Sequence, residues 1–107
     1  MSLESLKYQA EYDAVFQGGK KLNGKYFTFI FRPADKSRVG IIVSKKFGGA
    51  VKRNRIKRQI RVIFNSLAGH MNKTVEAVFL PRLNADSAEF NKLDEDIKMI
   101  AAKAGII

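Results

Sequence analysis

Eight lysines and arginines fall between Lys45 and Arg61, in KKFGGAVKRNRIKRQIR, and no acid stands among them. Side chains of this kind at this density suit one chemistry, the holding of phosphates. From Lys36 to Val75 there are eleven Lys or Arg and no Asp or Glu, whereas the last 32 residues carry six acids against four bases. The excess positive charge is therefore one contiguous block. A formal charge of +10 on 107 residues calls for a polyanionic partner, either nucleic acid or an anionic membrane surface.

Residues for bond-breaking chemistry are scarce. There is no Cys and one His, His70, so neither a thiolate site nor a His-rich metal cluster can form. The densest carboxylates, Asp94, Glu95 and Asp96, are successive residues of an expected helix and cannot all point to one metal ion, which makes a solvated face the expectation. The phosphate-loop pattern G-x-x-x-x-G-K-[ST] is absent, which excludes that route to nucleotide hydrolysis.

The elements that must carry the cations are legible. Ile56, Ile60, Ile63, Phe64 and Leu67 recur at helical spacing and define one buried stripe. Asn54, Arg58 and Arg61 fall opposite that stripe, Arg55 and Lys57 flank it, and Lys52 and Arg53 stand in the first turn. Pairs such as Arg55/Arg58, Lys57/Arg61 and Arg58/Arg61 set like charges at i,i+3 or i,i+4, each costing about 0.2–0.5 kcal/mol. Cations in the first turn also oppose the helix dipole. Stability alone does not select such a face, but docked phosphates reverse the sign of these effects, so the run reads as a phosphate-binding helix.

Upstream, RVGIIVSKK is a β-branched run suited to a strand buried on both faces, and Gly48-Gly49 provides the turn from strand to helix. SLKYQAEYDAVFQGG places Leu6, Tyr12, Val15 and Phe16 in a helical pattern ended by Gly18-Gly19. In KYFTFIFRP, Phe27, Phe29 and Phe31 share one strand face and are expected in the core. TVEAVFLPR reads as another strand. NADSAEFNKLDEDIKMIAAKAGII reads as a closing helix with Asp86 or Ser87 as N-cap and Phe90, Leu93, Ile97 and Ile100 on its inner face. Tyr12 and Phe16, four apart, fit two readings: both packed on the sheet, or both lining a groove where bases could stack. The length suits one domain, no stretch is apolar enough for a membrane span, and the lack of Cys fits a reducing, cytoplasmic setting.

RVGIIVSKKFGGAVKRNRIKRQIR, residues 38 to 61, closely resembles the signature of the protein subunit of bacterial ribonuclease P, and AVKRNRIKRQIR resembles the family's arginine-rich RNR helix. A looser likeness runs from LKYQAEYDAVFQGG to the last helix. The resemblance implies a ribonucleoprotein endonuclease in which a catalytic RNA cuts the 5′ leader from precursor tRNA and the protein supplies no catalytic side chain. Lys52, Arg53, Asn54, Arg55, Lys57, Arg58 and Arg61 would face the catalytic RNA, and Tyr12, Phe16, Lys45 and Lys46 would line a cleft for the single-stranded leader. It further implies Mg2+ for the RNA-catalysed reaction, no metal or cofactor held by the protein chain, no membrane and no small-molecule substrate. The implied fold is a single α+β RNA-binding domain over residues 1–107, a two-layer sandwich of order α-β-β-β-α-β-α whose four-stranded sheet contains a left-handed β-α-β crossover. That hand is rare, since about 98% of such crossovers are right-handed.

Three features depart from the family pattern, one being the loop FGGAV at residues 47–51 where GNA is common, which removes a polar side chain beside the helix start. Only Lys7 is cationic before Lys20, where many relatives have a basic arm, and Tyr12 stands where Phe is more usual. Two other classes compete with the ribonuclease P reading. A free-standing nuclease lacks a carboxylate cluster, and a DNA-binding or architectural protein accounts for the charge but not for the strand-glycine-helix layout or the aromatic pair.

Overall fold

Alternation of Phe27, Phe29 and Phe31 with Thr28, Ile30 and Arg32 dictates a strand with one aromatic face and one mixed face. In the computed structural model, which describes residues 3–107, that strand is β3 (Phe27–Pro33), and all three phenylalanines are buried. The other strands are β1 (Glu4–Ser5), β2 (Lys20–Asn23), β4 (Arg38–Ile41) and β5 (Val75–Pro81); the helices are α1 (Gln9–Gly18), α2 (Ala50–Leu67) and α3 (Phe90–Lys103). They form one sheet in the order β1-β4-β5-β3-β2. β5 is central, parallel to β4 and antiparallel to β3.

The α+β class and the α-β-β-β-α-β-α order hold, with one addition. The sheet has five strands rather than four, because Glu4 and Ser5 pair in parallel with Arg38 and Val39. Two residues are too few for alternation to appear in a sequence. β2 carries lysines at Lys20 and Lys21 on a sheet edge, which discourages pairing with another chain but hides the strand from a hydrophobicity pattern.

One sheet face packs on α2 and α3. Phe27, Phe29, Phe31 and Phe79 meet Ile56, Ile60, Ile63, Phe64 and Leu67 of α2 and Leu93, Ile97 and Ile100 of α3 in a single core. The Phe29 and Phe79 rings lie 4.7 Å apart, and Phe64 meets Phe79 edge-on at 5.1 Å. The helical stripe predicted for α2 is the set of residues that it buries. The opposite face receives α1 through a smaller cluster of Leu6, Val15 and Val78, flanked by Tyr12, Ile30 and Leu80.

Several boundaries differ from expectation for local reasons. α1 begins at Gln9, leaving Leu6 outside the helix though still buried, because Glu11 reaches back to accept the backbone N–H groups of Lys7 at 2.8 Å and Tyr8 at 2.9 Å. The strand through Gly40 stops at Ile41, and Lys45–Phe47 is a 3₁₀ turn whose Lys46 N–H donates to Ser44 Oγ. α3 starts after Glu89, not at Asp86 or Ser87, whose side chains are engaged elsewhere, with Lys52 and with the Asn84 carbonyl. Phe90 is consequently the first helical residue and is exposed rather than inward-facing.

Candidate nucleic-acid interface

The outer face of α2 is exposed where the sequence places its cations. Lys52, Asn54, Arg55, Lys57 and Arg58 are open to solvent, whereas Arg53 of the first turn and Arg61, expected opposite the buried stripe, are half-buried. Among the described residues only Lys52 of this set has a carboxylate partner, Asp86 at 3.1 Å. The Nε of Arg53 is buried and has no hydrogen-bond partner. Gly49 caps the helix without a side chain, so the cap residue offers no side-chain acceptor to the first-turn amides. Gly48, at φ 148°, makes the turn that delivers the chain to this point, a conformation that favours glycine. Lys45 and Lys46, exposed on the preceding 3₁₀ turn, extend the same positive surface.

The aromatic pair of α1 divides between the two readings left open by the sequence. Tyr12 is half-buried, with its ring against the backbone of Gly40 and its hydroxyl donating to the Leu6 carbonyl at 3.4 Å. A Cβ at position 40 would lie 2.4 Å from Tyr12 Cε1, so glycine is required for this close approach. Phe16 is 38% exposed one turn further along. Between α1 and the sheet, Ile30 and Leu80 are partly buried against the Leu6, Val15 and Val78 cluster with Tyr12. The chain runs from Gly40 beneath Tyr12 to Lys45, Lys46 and then α2, so the aromatic margin and the cationic helix lie along one strand-turn-helix path. Gly40 is legible in the sequence only as a strand residue, because nothing there identifies the ring above it.

A row of alternating charges, not anticipated from the sequence, crosses the α1 side of the sheet. Glu4, Arg38, Glu76 and Arg32 stand opposite one another in register on β1, β4, β5 and β3. Glu76 is 3% exposed and accepts hydrogen bonds from Arg32, at 2.7 Å, and from Arg38. Arg38 also donates to Glu11, the residue that caps α1. Burial pushes the Glu76 carboxyl upward, but the two guanidinium groups outweigh that effect and hold it below its ordinary 4.5. Glu11 is lowered mainly by the Tyr8 and Lys7 amides, with Arg38 adding to them. The one acid within the apolar run of β5 was the available signal, since an acid there needs a partner.

The closing carboxylates have three separate roles. Asp94 pairs with Lys98 at 2.8 Å and Glu95 lies 3.8 Å from Lys92, both on the surface. Asp96 corrects the expectation of a solvated face: it is buried and accepts the amides of Lys25 at 2.8 Å and Tyr26 at 2.9 Å, closing the turn between β2 and β3. Among the described residues no three His, Asp or Glu side chains converge to hold a metal ion, and no helix is long and apolar enough to cross a membrane.

Residues 2–105 match the family model described as Ribonuclease P. The chain is 39% identical over 93 residues to the ribonuclease P protein component of Thermotoga maritima, covering 85% of this chain and 79% of the relative. It is 34% identical over 103 residues to that of Syntrophomonas wolfei, covering 94% and 87%. Among solved structures, the Thermotoga maritima RNase P protein superposes with a TM-score of 0.81 at 33% identity, over 91% of this chain and 94% of that one. The Staphylococcus aureus RNase P protein gives 0.87 at 26% identity, over 95% of each.

Proposed function

Because the chain belongs to the ribonuclease P protein family, we propose that it binds the catalytic RNA through the outer face of α2 and receives the 5′ leader of precursor tRNA between α1 and the sheet. As a ribonuclease P protein component it is part of an endoribonuclease complex that acts in tRNA 5′ processing. The observation that carries the RNA-binding reading is the asymmetry of α2: a fully buried apolar stripe on one side, and on the other a run of cations of which, among the described residues, only Lys52 is matched by an acid. Such a face is self-repelling until phosphates neutralise it. In the cleft, exposed Phe16 offers a stacking surface, Tyr12 shapes the wall against Gly40, and Lys45 and Lys46 stand ready for leader phosphates.

Cleavage in this reading belongs to the RNA, together with the Mg2+ that its phosphates hold, and takes place in the cytoplasm. The best-buried acids of the protein support that division of labour, because Glu76 and Asp96 are bound to groups of the fold itself. Purified chain, catalytic RNA and their mixture should be assayed on precursor tRNA at moderate Mg2+. The mixture should cleave efficiently, the RNA poorly and the chain not at all; specific processing by RNA-free chain would overturn the reading. Phe16→Ala should weaken precursor binding by about 1–3 kcal/mol, leave mature tRNA nearly unaffected and melt near the wild-type temperature. Equal losses for both tRNAs would remove Phe16 from the cleft.

A further inference from the structure

Helix α1 is weakly anchored for an element that forms one wall of a binding cleft. Of its ten residues only Val15 is fully buried, whereas α2 buries five side chains and α3 also buries five. Beyond Val15 and the half-buried Tyr12, its tie to the sheet is ionic. Glu11 uses one carboxylate oxygen to cap its own helix, through the Lys7 and Tyr8 amides, and the other to accept from Arg38. Arg38 in turn donates to Glu76, which Arg32 holds from the far side at 2.7 Å. A continuous chain of charge-assisted bonds thus runs from β3 through β5 and β4 into the first turn of α1, where the next residue is Tyr12. Arg38 and Tyr12 are further coupled through the strand, because Gly40, two residues after Arg38, lies under the Tyr12 ring.

Resting on the leader-cleft reading above, we propose that Glu11, Arg38 and Glu76 are positioning residues for leader recognition: the relay sets where α1 stands over the sheet and thereby the width of the cleft at Tyr12 and Phe16. None of the three need touch the RNA. Charge-assisted hydrogen bonds are short and directional, and a row held in register on three strands leaves the last guanidinium one place to point. The relay lies on the sheet face opposite α2 and shares no residue with the cationic helix. It therefore tunes the grip on the leader independently of the grip on the catalytic RNA.

Glu11→Gln isolates the link. The Gln carbonyl oxygen can still accept from Lys7 and Tyr8, but its amide nitrogen now opposes Arg38, and Glu76 keeps both of its partners. Two measurements test it, amide hydrogen exchange in the free protein and binding by the reconstituted holoenzyme to precursor tRNA with and without its leader. The expected result is roughly tenfold faster exchange in α1 with β3 and β5 unchanged, together with about a tenfold loss of leader-dependent affinity. Affinity for mature tRNA, the cleavage rate at saturation and the salt dependence of catalytic-RNA binding should stay as in the wild type. Glu11→Asp, which keeps the charge on a shorter arm, should recover part of the loss. Unchanged exchange in α1 would overturn the proposal, and so would loosened α1 with leader affinity intact. Phe16→Ala run alongside separates the failures. If it too spares leader affinity, the cleft reading itself falls; if it alone costs affinity, only the relay does.

Discussion

Helix α2 and the ion row under α1 use the same residue type to opposite ends. Arg55 and Arg58 stand in solvent, without a carboxylate partner among the described residues and with other cations beside them in the sequence. Arg32 and Arg38 converge on one buried carboxylate and are each paired with it. The first pair leaves its charge available to a partner; the second commits it to holding three strands and a helix together. A net charge of +10 therefore understates how segregated this protein is, because no acid falls between Lys36 and Val75 and, among the described residues, only Lys52 of the α2 cations has a carboxylate partner. Whether an arginine here keeps its charge open to a partner depends less on its neighbours in the chain than on whether a carboxylate from elsewhere has reached it first.

The sharpest way to break this contrast is to remove the shared acid. Glu76→Ala leaves two guanidinium groups facing a cavity and should destabilise the free protein by about 3 kcal/mol, near the lower end of the range for broken buried pairs because both arginines retain some solvent. Thermal melts should fall by more than about 10 °C for a domain of this size. A wild-type melt would show that the row is ornament. Acid titration gives the sign independently. The Glu76 carboxyl is held below its ordinary 4.5, so the stability it contributes is complete above that value and is lost as pH falls through the depressed one. Glu76→Gln should flatten the acid limb of the unfolding curve followed by circular dichroism.

Asp96 extends the comparison to acids. Asp96→Ala strips acceptors from two amides in the β2–β3 turn and should cost about 2–3 kcal/mol in urea unfolding. Neighbouring Glu95→Ala, on the surface, should remain within about 0.5 kcal/mol. Equal effects would mean that the burial of Asp96 carries no weight.

On α2 the expected changes appear in binding more than in folding. Arg55→Ala and Arg58→Ala should each lower the slope of log affinity for the catalytic RNA against log salt, by about 0.7–0.9 for every phosphate that is no longer neutralised. An unchanged slope would place these side chains outside the interface. The smallest expected effect has the opposite sign to that of Glu76→Ala. Arg58→Ala should make the free protein more stable by about 0.2–0.5 kcal/mol for each like-charge pair relieved, readable as a slightly higher urea midpoint.

What the sequence discloses follows the same division. The buried stripe of α2, the Phe face of β3 and the inward residues Leu93, Ile97 and Ile100 of α3 are legible because hydrophobic periodicity is local. The cationic face is legible because its charges run together in the sequence, with no acid from Lys36 to Val75. The roles of Glu11, Arg38, Glu76 and Asp96 are hidden for the complementary reason: each is satisfied by a group far away in the chain, which a local pattern does not register. Gly40 belongs with them, since a ring from α1 gives it meaning. Phe90 and the expected caps Asp86 and Ser87 depart from the helical pattern where a 3₁₀ turn takes the place of the first turn of α3.

The central position of β5 bears on how the protein comes into being on a ribosome. β3 and β4 precede it in the chain, yet they do not pair with each other; β5 joins them. Until Val75–Pro81 has been made, the nascent chain owns a hairpin of β2 and β3, a separate pair of β1 and β4, and the cationic α2 with no completed sheet to cover its apolar stripe. The last strand synthesised is thus the first that can unite the sheet, and the acid that closes the β2–β3 turn, Asp96, arrives later still. Pairings of such long sequence separation make for slow folding. Chains stopped before residue 75 should therefore remain open and protease-sensitive, and protection should appear in one step once β5 and α3 are both free to dock.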